Sequence, residues 1–249
     1  MATEQPGKSE GAGNPEEVLS FWFPEGDIWQ ADRETFGRRM GWWFGGGPEV
    51  DREISERFDH VLEQALRGEL DYWADTPRGR LALIVVLDQF SRNVYRGSPL
   101  AYAQDRKATE LAVEAIDAGM DRDLTPAERM FVWMPLVHSE DPALQERSVR
   151  HAEEVAADPP SHLRAESEFG ISQARGARDV IARFGRHPHR NEVLGRASTP
   201  EELEYLRTET PPHMRRPPFW GELFAEARKY SFSVKGAVRA RVAGGPSRT

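Results

Sequence analysis

The chain has 249 residues, a formal net charge of −8 at pH 7 and no cysteine. The missing thiols exclude a disulfide framework, a cysteine nucleophile and a Cys-ligated zinc or iron–sulfur site. The acidic balance argues against a nucleic-acid-binding protein, because such binding surfaces are usually basic. No apolar run approaches the ~20 residues of a membrane span. We therefore expect a cytoplasmic protein whose partners include neither a membrane nor a nucleic acid.

Helix starts are marked along the chain by one recurring pair, a capping residue followed directly by proline. The capping side chain accepts a hydrogen bond from a free N–H of the first turn, and proline at the first helical position has no N–H to satisfy. The pair occurs at Asn14-Pro15, Thr76-Pro77, Ser98-Pro99, Thr125-Pro126, Asp141-Pro142 and Thr199-Pro200. Helix stops, where a left-handed glycine cap is expected, are marked by Gly68, Gly97, Gly119 and Gly185. The pattern predicts an all-α fold, an antiparallel array or bundle of about eight to ten helices.

We expect one all-α domain over residues 14–234. Residues 1–13 are polar and lack a hydrophobic stretch, which predicts a disordered tail rather than a signal peptide. Residues 235–249 are basic and contain several glycines, which predicts a second disordered tail.

The first polar intrusion into the core follows an apolar helix. Residues 81–87 are apolar on every side of a helix, which predicts a central, buried position. At about 100° per residue, Asp88 continues the core-facing row, and Arg92 follows one turn later within pairing distance. A buried carboxylate needs such a partner, because leaving it unpaired costs several kcal/mol or shifts its pKa. The pair either only fixes helix packing or belongs to a functional site that also includes Asn93 and Arg96.

The second intrusion lies at the end of a later helix. One face of that helix carries Phe131, Met134, Pro135 and His138. Pro135 is expected to kink or end the helix. His138 and the nearby Glu140 are well suited to proton transfer at such a helix end. The alternative is that His138 is a hydrogen-bonded histidine of the core.

The third intrusion is the loop 184–196, which follows a long helix and is dense in hydrogen-bond donors. His187, His189 and Arg190 could bind an anion or a metal ion there. A surface loop rich in arginine and histidine would look the same.

These residues resemble the three signatures of the bacterial family known as domain of unknown function 924. The signatures correspond to residues 87–97, 134–141 with Gln145, and 184–196, and the segments 18–23 and 198–202 fit as well. The resemblance covers roughly residues 15–207. It implies an α-helical fold of the tetratricopeptide-like class and no established reaction, because the family is named for lacking one.

The chain departs from the family pattern at two positions. His187 stands before Pro188 where we expect the family to read Phe-Pro-His-Arg-Asn, and Ala177 stands where the long helix usually carries a histidine. Either departure moves a histidine of the expected site, which indicates a specialised member. The C-terminal part with Pro211-Pro212, Pro217-Pro218 and Phe219-Trp220 is also expected to be particular to this chain.

Together, the three motifs predict one buried site for acid–base chemistry on an anionic small molecule. His138 is the expected general acid and base, oriented by Glu140 or Asp88. The substrate, a carboxylate or a phosphate, is expected to be bound by bidentate arginines and their neighbours. These expected binding residues are Arg92, Asn93, Arg96, His187, His189 and Arg190. Hydrolysis, elimination and cyclisation fit this set, and no cofactor is expected.

Two other functions remain open on the same residues. A metalloenzyme would bind iron or zinc through His138, Glu140, Asp88 and His189. A tetratricopeptide-like binding module would instead use the motifs to grip a peptide or a ligand without chemistry. Geometry separates them, because convergence into one pocket favours an enzyme and dispersal along an open face favours a binding module.

Overall fold

The structure, a computed structural model, describes residues 13–215 and is all-α within that range. The helices are α1 Pro15–Trp22, α2 Arg33–Gly45, α3 Gly47–Leu66, α4 with its three consecutive segments Pro77–Ile84, Val85–Phe90 and Ser91–Val94, α5 Asp105–Asp117, α6 Pro126–His138, α7 Pro142–Val155, α8 Arg164–Phe184 and α9 Pro200–Thr208. The middle segment of α4 is π-helical. The all-α prediction is confirmed, and nine described helices fall within the expected number. The predicted tails and the last part of the predicted domain, residues 1–12 and 216–249, lie outside the described residues.

All six predicted caps accept hydrogen bonds from the turn that follows, and five of them begin α-helices, so five predicted helix starts are confirmed. Thr125 and Thr199 form complete capping boxes, in which a glutamate also bonds back to the backbone N–H of the cap. Ser98 caps a single 3₁₀ turn, Pro99–Tyr102, instead of an α-helix. The four predicted glycine stops have φ between 66° and 78°, a left-handed conformation that glycine adopts without a steric penalty. Local chemistry therefore sets where most helices begin and end.

Helix α4 lies at the centre of the fold. Every residue from 81 to 91 is buried, and the helix contacts α1, α3, α5 and α6. The ring of Phe90 packs against Phe21, Trp22 and Phe58, with ring centroids 5.1–6.2 Å apart. Each such buried side chain stabilises the fold by about 1.5–3 kcal/mol. This packing holds the π-helical segment, and Asp88 within it, in the core.

Helix α6 continues through Pro135 to His138, so of the two expected effects of the proline, a kink or an end, the helix does not end there. A proline removes its own N–H bond, but Pro135 and Leu136 are buried, and their packing retains the last turn. The side chain of Gln145, on α7, donates to the carbonyl oxygens of Val137 and Ser139 at 2.8 and 2.6 Å. Gln145 is fully buried, so it fixes the end of α6 from within the core.

Helices α5 to α8 pack against one another in succession, and the short connection 139–141 joins α6 to α7. Within residues 13–215, no helix is both long enough and apolar enough to cross a membrane.

Candidate functional site

The site is centred on a contact between a carboxylate of α4 and a histidine of α6. Nδ1 of His138 lies 2.8 Å from Oδ1 of Asp88, 50 residues earlier in the chain. Asp88 is fully buried, whereas the side chain of His138 is 22% exposed. The first two sequence motifs therefore meet, with the carboxylate on the protein side of the ring and the rest of the ring nearer to solvent.

Asp88 is fixed as a carboxylate by three neighbours. The predicted pair with Arg92 is present, with Nη1 of Arg92 3.0 Å from Oδ1. Gln89 donates to Oδ2, and His138 contacts Oδ1. Burial raises the pKa of Asp88, but the charge of Arg92, the electrostatic interaction with the His138 ring and the hydrogen bonds outweigh it and lower the pKa to about 2. Asp88 is therefore ionised at neutral pH.

His138 is neutral in the resting site. Burial and the charge of Arg92 lower its pKa, and they outweigh the opposite effect of Asp88. Because the ionised Asp88 only accepts hydrogen bonds, the proton of the neutral ring must sit on Nδ1. Nε2 then carries a lone pair and has no hydrogen-bond partner among the described residues. The arrangement leaves a base at the free edge of the ring.

A further acidic residue, Asp105, links two arginines of different motifs. Asp105 lies in the first turn of α5, where Arg92 donates to its Oδ1 at 2.8 Å and Arg190 to its Oδ2 at 3.0 Å. Both guanidinium groups also lie over the ring of Tyr102, at 5.7 and 4.8 Å from its centroid. Asp105 thus joins the first and third motifs.

Asp105 and Tyr102 are absent from the set predicted from sequence. An aspartate in the first turn of a helix is what the helix dipole favours, so Asp105 gives no separate signal in the sequence.

Glu140 contacts the loop after α8 rather than His138. It accepts two hydrogen bonds from Arg196, at 2.7 and 3.0 Å, and one from the backbone N–H of His187, at 2.8 Å. Burial raises the pKa of Glu140, but the bond with Arg196 and the N–H of His187 outweigh it, so the net shift is downward. Of the two residues expected to orient His138, the structure places Asp88 in that position and gives Glu140 the role of anchoring the loop.

Asn93 and Arg96 bind a residue outside the cleft. Both bind Asp51 on α3, Asn93 at 2.8 Å and Arg96 through two hydrogen bonds at 2.6 and 2.7 Å. The side chain of Arg96 is 58% exposed. These two residues of the first motif therefore join α4 to α3 and do not face the other motifs.

The histidines of the third motif form a cluster of tilted rings with a later histidine. The ring centroids of His187 and His189 are 5.4 Å apart, and those of His189 and His213 are 4.0 Å apart. Burial, together with nearby positive groups including Arg190, lowers the pKa of both His187 and His189 to about 2. These rings are therefore neutral at physiological pH. His213 lies beyond the three motifs and is missing from the predicted set.

A cleft of about 520 Å³ opens beside His138. Its polar wall includes His138, Glu140, Asp105 and Arg190. The second and third motifs therefore line the cleft, and Asp88 of the first motif lies behind His138. Its volume is in the usual range for a small-molecule site. The arrangement can accept a proton at Nε2 of His138 and offers a cation at Arg190.

The ligand set of the metalloenzyme alternative is not assembled. Asp88 is engaged by His138, Arg92 and Gln89, and Glu140 by Arg196. In the described part of the chain, no three histidine, aspartate or glutamate side chains are placed so that they could hold a metal ion.

Three comparisons place the chain among known proteins. The family model for bacterial proteins of unknown function, DUF924, matches residues 18–210. The solved structure of the protein of unknown function ATU0120 from Agrobacterium tumefaciens is similar, with 33% sequence identity and a TM-score of 0.63. The match covers 77% of this chain and 96% of that one. No curated protein matches. With its fold and most of its length shared with these proteins, the chain belongs to the DUF924 family.

Proposed function

We propose that the protein is an enzyme that performs acid–base chemistry on an anionic small molecule in the cleft beside His138. His138 acts through Nε2 as the general base and then, once protonated, as the general acid. Asp88 orients the ring and stabilises its protonated form. Hydrolysis, elimination and cyclisation of a carboxylate or phosphate substrate all fit this machinery.

The observation that carries the proposal is the 2.8 Å contact between Asp88 and His138 at the wall of a cleft. A carboxylate needs only Arg92 and Gln89 to be satisfied, so a structural role does not require a histidine that faces solvent. An ionised partner on Nδ1 leaves the lone pair on Nε2, which is the tautomer that a general base needs. A positioned group of this kind contributes about 10²–10⁴-fold to a rate.

Two serines belong to the motifs, Ser91 and Ser139, but neither supports nucleophilic catalysis. Ser139 accepts a hydrogen bond from the N–H of Asp141, and Ser91 is fully buried. Neither hydroxyl is bonded to His138. The geometry therefore favours proton transfer to or from the substrate.

We also propose that the helices form a tetratricopeptide-like array and that the protein is cytoplasmic. The successive packing of α5 to α8 supports the tetratricopeptide-like array.

The experiment compares the wild-type protein with His138→Gln in mixtures of small carboxylates and phosphates, with consumption followed by mass spectrometry. His60→Gln is the matched control, because His60 is exposed on α3. We expect a compound that the wild type and His60→Gln consume at equal rates. His138→Gln should consume it about 10²–10⁴-fold more slowly, with an unchanged melting temperature.

Two results would contradict the proposal. If His138→Gln turns over the compound at the wild-type rate, His138 has no catalytic role. If compounds bind in the cleft with equal affinity in all three proteins and none is consumed, the protein is a binding module.

A further inference from the structure

The cleft has two chemically different parts. Its polar wall is formed by the charged residues described above together with Arg106, Thr109, Glu110 and Ser139, and the other lining side chains are apolar. These are Pro99, Ala103, Leu144 and Leu194, together with the ring of Tyr102. Leu194 lies on the loop after α8, and Pro99 lies on the 3₁₀ turn before α5, so the apolar part is built from both sides of the cleft. A ligand that fills this space must therefore carry an apolar body.

Of the three arginines bound to carboxylates at the cleft, Arg92, Arg190 and Arg196, Arg190 makes the fewest hydrogen bonds. Its side chain is only 7% exposed, and its Nη1 donates to Asp105. Its Nε is buried and has no hydrogen-bond partner among the described residues. Burial and the nearby charge of Arg92 lower the pKa of Arg190, which means that its positive charge is not fully compensated. An additional anion at the cleft wall would supply that compensation.

The charges around the cleft limit how much negative charge the ligand carries. Three arginines and three carboxylates are joined by contacts of 3.0 Å or less: Arg92 with Asp88 and Asp105, Arg190 with Asp105, and Arg196 with Glu140. With neutral histidines this set has no net charge, and the lining pair of Arg106 and Glu110 adds none. One added negative charge is balanced when His138 takes up a proton. A dianion would leave a negative charge uncompensated in a partly buried space, which is costly.

We infer that the cleft binds a monocarboxylate with an apolar body, its carboxylate on Arg190 beside His138 and its body against Pro99, Ala103, Leu144 and Leu194. This inference rests on the proposed function, since it names the substrate class of the same site. A planar guanidinium suits a carboxylate, and its position beside His138 brings the atoms next to the carboxylate within reach of the base.

The test measures binding of acetate, butyrate and octanoate at pH 8 by calorimetry, with octylamine and inorganic phosphate as comparison probes. Each buried methylene contributes about 0.8 kcal/mol, so affinity should rise about fourfold per methylene until the apolar part is filled. Octylamine and phosphate should bind more weakly than octanoate. Binding of octanoate should also raise the pKa of His138, which faces Asp88, Arg92 and Asp105, in an NMR titration.

Two matched pairs of variants locate the ligand. Arg190→Gln should weaken octanoate binding about 10- to 100-fold, the loss expected for a hydrogen bond to a charged group, and Arg190→Lys should retain part of it. Arg96→Gln is the control, because Arg96 is bound to Asp51 away from the cleft. Leu194→Ala should weaken octanoate binding more than acetate binding. Leu203→Ala, an exposed position on α9, should change neither.

The inference is overturned if octylamine or phosphate binds more tightly than octanoate, if affinity is independent of chain length, or if Arg190→Lys and Arg190→Gln both bind octanoate like the wild type. Its failure is distinct from that of the proposed function. Octanoate binding without His138-dependent turnover of any compound contradicts only the proposed function. Turnover that depends on His138 without octanoate binding contradicts only the inference.

Discussion

Replacing Asp88 by asparagine separates the charge of this residue from its shape. The carboxylate is fully buried and contacts Arg92, Gln89 and His138. Its pKa is lowered from 3.8 to about 2 in the folded protein, which corresponds to about 2–3 kcal/mol of stability at neutral pH. Breaking a buried pair usually costs ~3–5 kcal/mol. The value here should lie at the lower end, since Arg92 keeps its contact with Asp105.

We therefore expect Asp88→Asn to lower the free energy of unfolding by about 2–3 kcal/mol at pH 7, measured by chemical denaturation. The control is Asp117→Asn, which removes an exposed carboxylate paired with Arg147 and should cost less than about 1 kcal/mol. A loss below about 1 kcal/mol for Asp88→Asn would refute the reasoning.

The pH dependence gives a second check on the same variant. The folded pKa of Asp88 is depressed, so its contribution is fully present above the unfolded pKa near 3.8 and is lost as the pH falls towards about 2. The difference between wild type and Asp88→Asn should thus shrink as the pH falls below 4. A difference that is the same at pH 3 and at pH 5 would contradict this assignment.

Two further predictions concern the loop after α8. The folded pKa of His187, about 2, lies far below its unfolded pKa near 6.5. The free energy of unfolding is therefore not reduced by this group above pH 6.5, and it decreases as the pH drops below that value. His187→Phe removes this titration, so the free energy of unfolding should decrease by about 1–2 kcal/mol less between pH 7 and pH 5 than it does in the wild type. An unchanged dependence of the unfolding free energy on pH, measured by chemical denaturation, would contradict the prediction. Glu140→Gln removes the charged acceptor of Arg196 and of the His187 N–H, so hydrogen exchange at that N–H should accelerate at least about tenfold. The control Glu204→Gln, in an exposed pair with Arg207, should leave it unchanged, and equal exchange in both variants would show that Glu140 does not hold the loop.

The helix boundaries were predictable because they depend on neighbouring residues. A side chain such as Thr125 satisfies an N–H three residues away, and a glycine such as Gly185 adopts φ of 68° within its own turn. The contact between Asp88 and His138 was expected only in outline. Burial of an apolar helix demands a partner for its carboxylate, but the sequence does not say whether that partner is Arg92, His138 or both.

The rest of the site is formed by contacts between residues that are far apart in the sequence, and local sequence patterns do not encode such contacts. Asp105 joins Arg92 to Arg190, which follows it by 85 residues, and Arg196 reaches Glu140 across 56 residues. Arg96 lies beyond Val94, the last residue of α4, and there it binds Asp51 of α3 instead of the residues of the cleft. Proximity in sequence to Asp88 therefore did not imply a place in the site.

The π-helical segment Val85–Phe90 restricts how this protein can change during evolution. Each turn of such a segment holds an additional residue compared with an α-helix, and these segments arise mostly as single-turn bulges. Because the wider turn absorbs the additional residue locally, the helix before and after it keeps its direction. Loss of one residue before Asp88 would leave Arg92 one turn after it, but it would shift the direction in which the carboxylate projects towards His138. A change in the length of this segment would therefore alter the contact between Asp88 and His138 even if no residue of the site had been substituted.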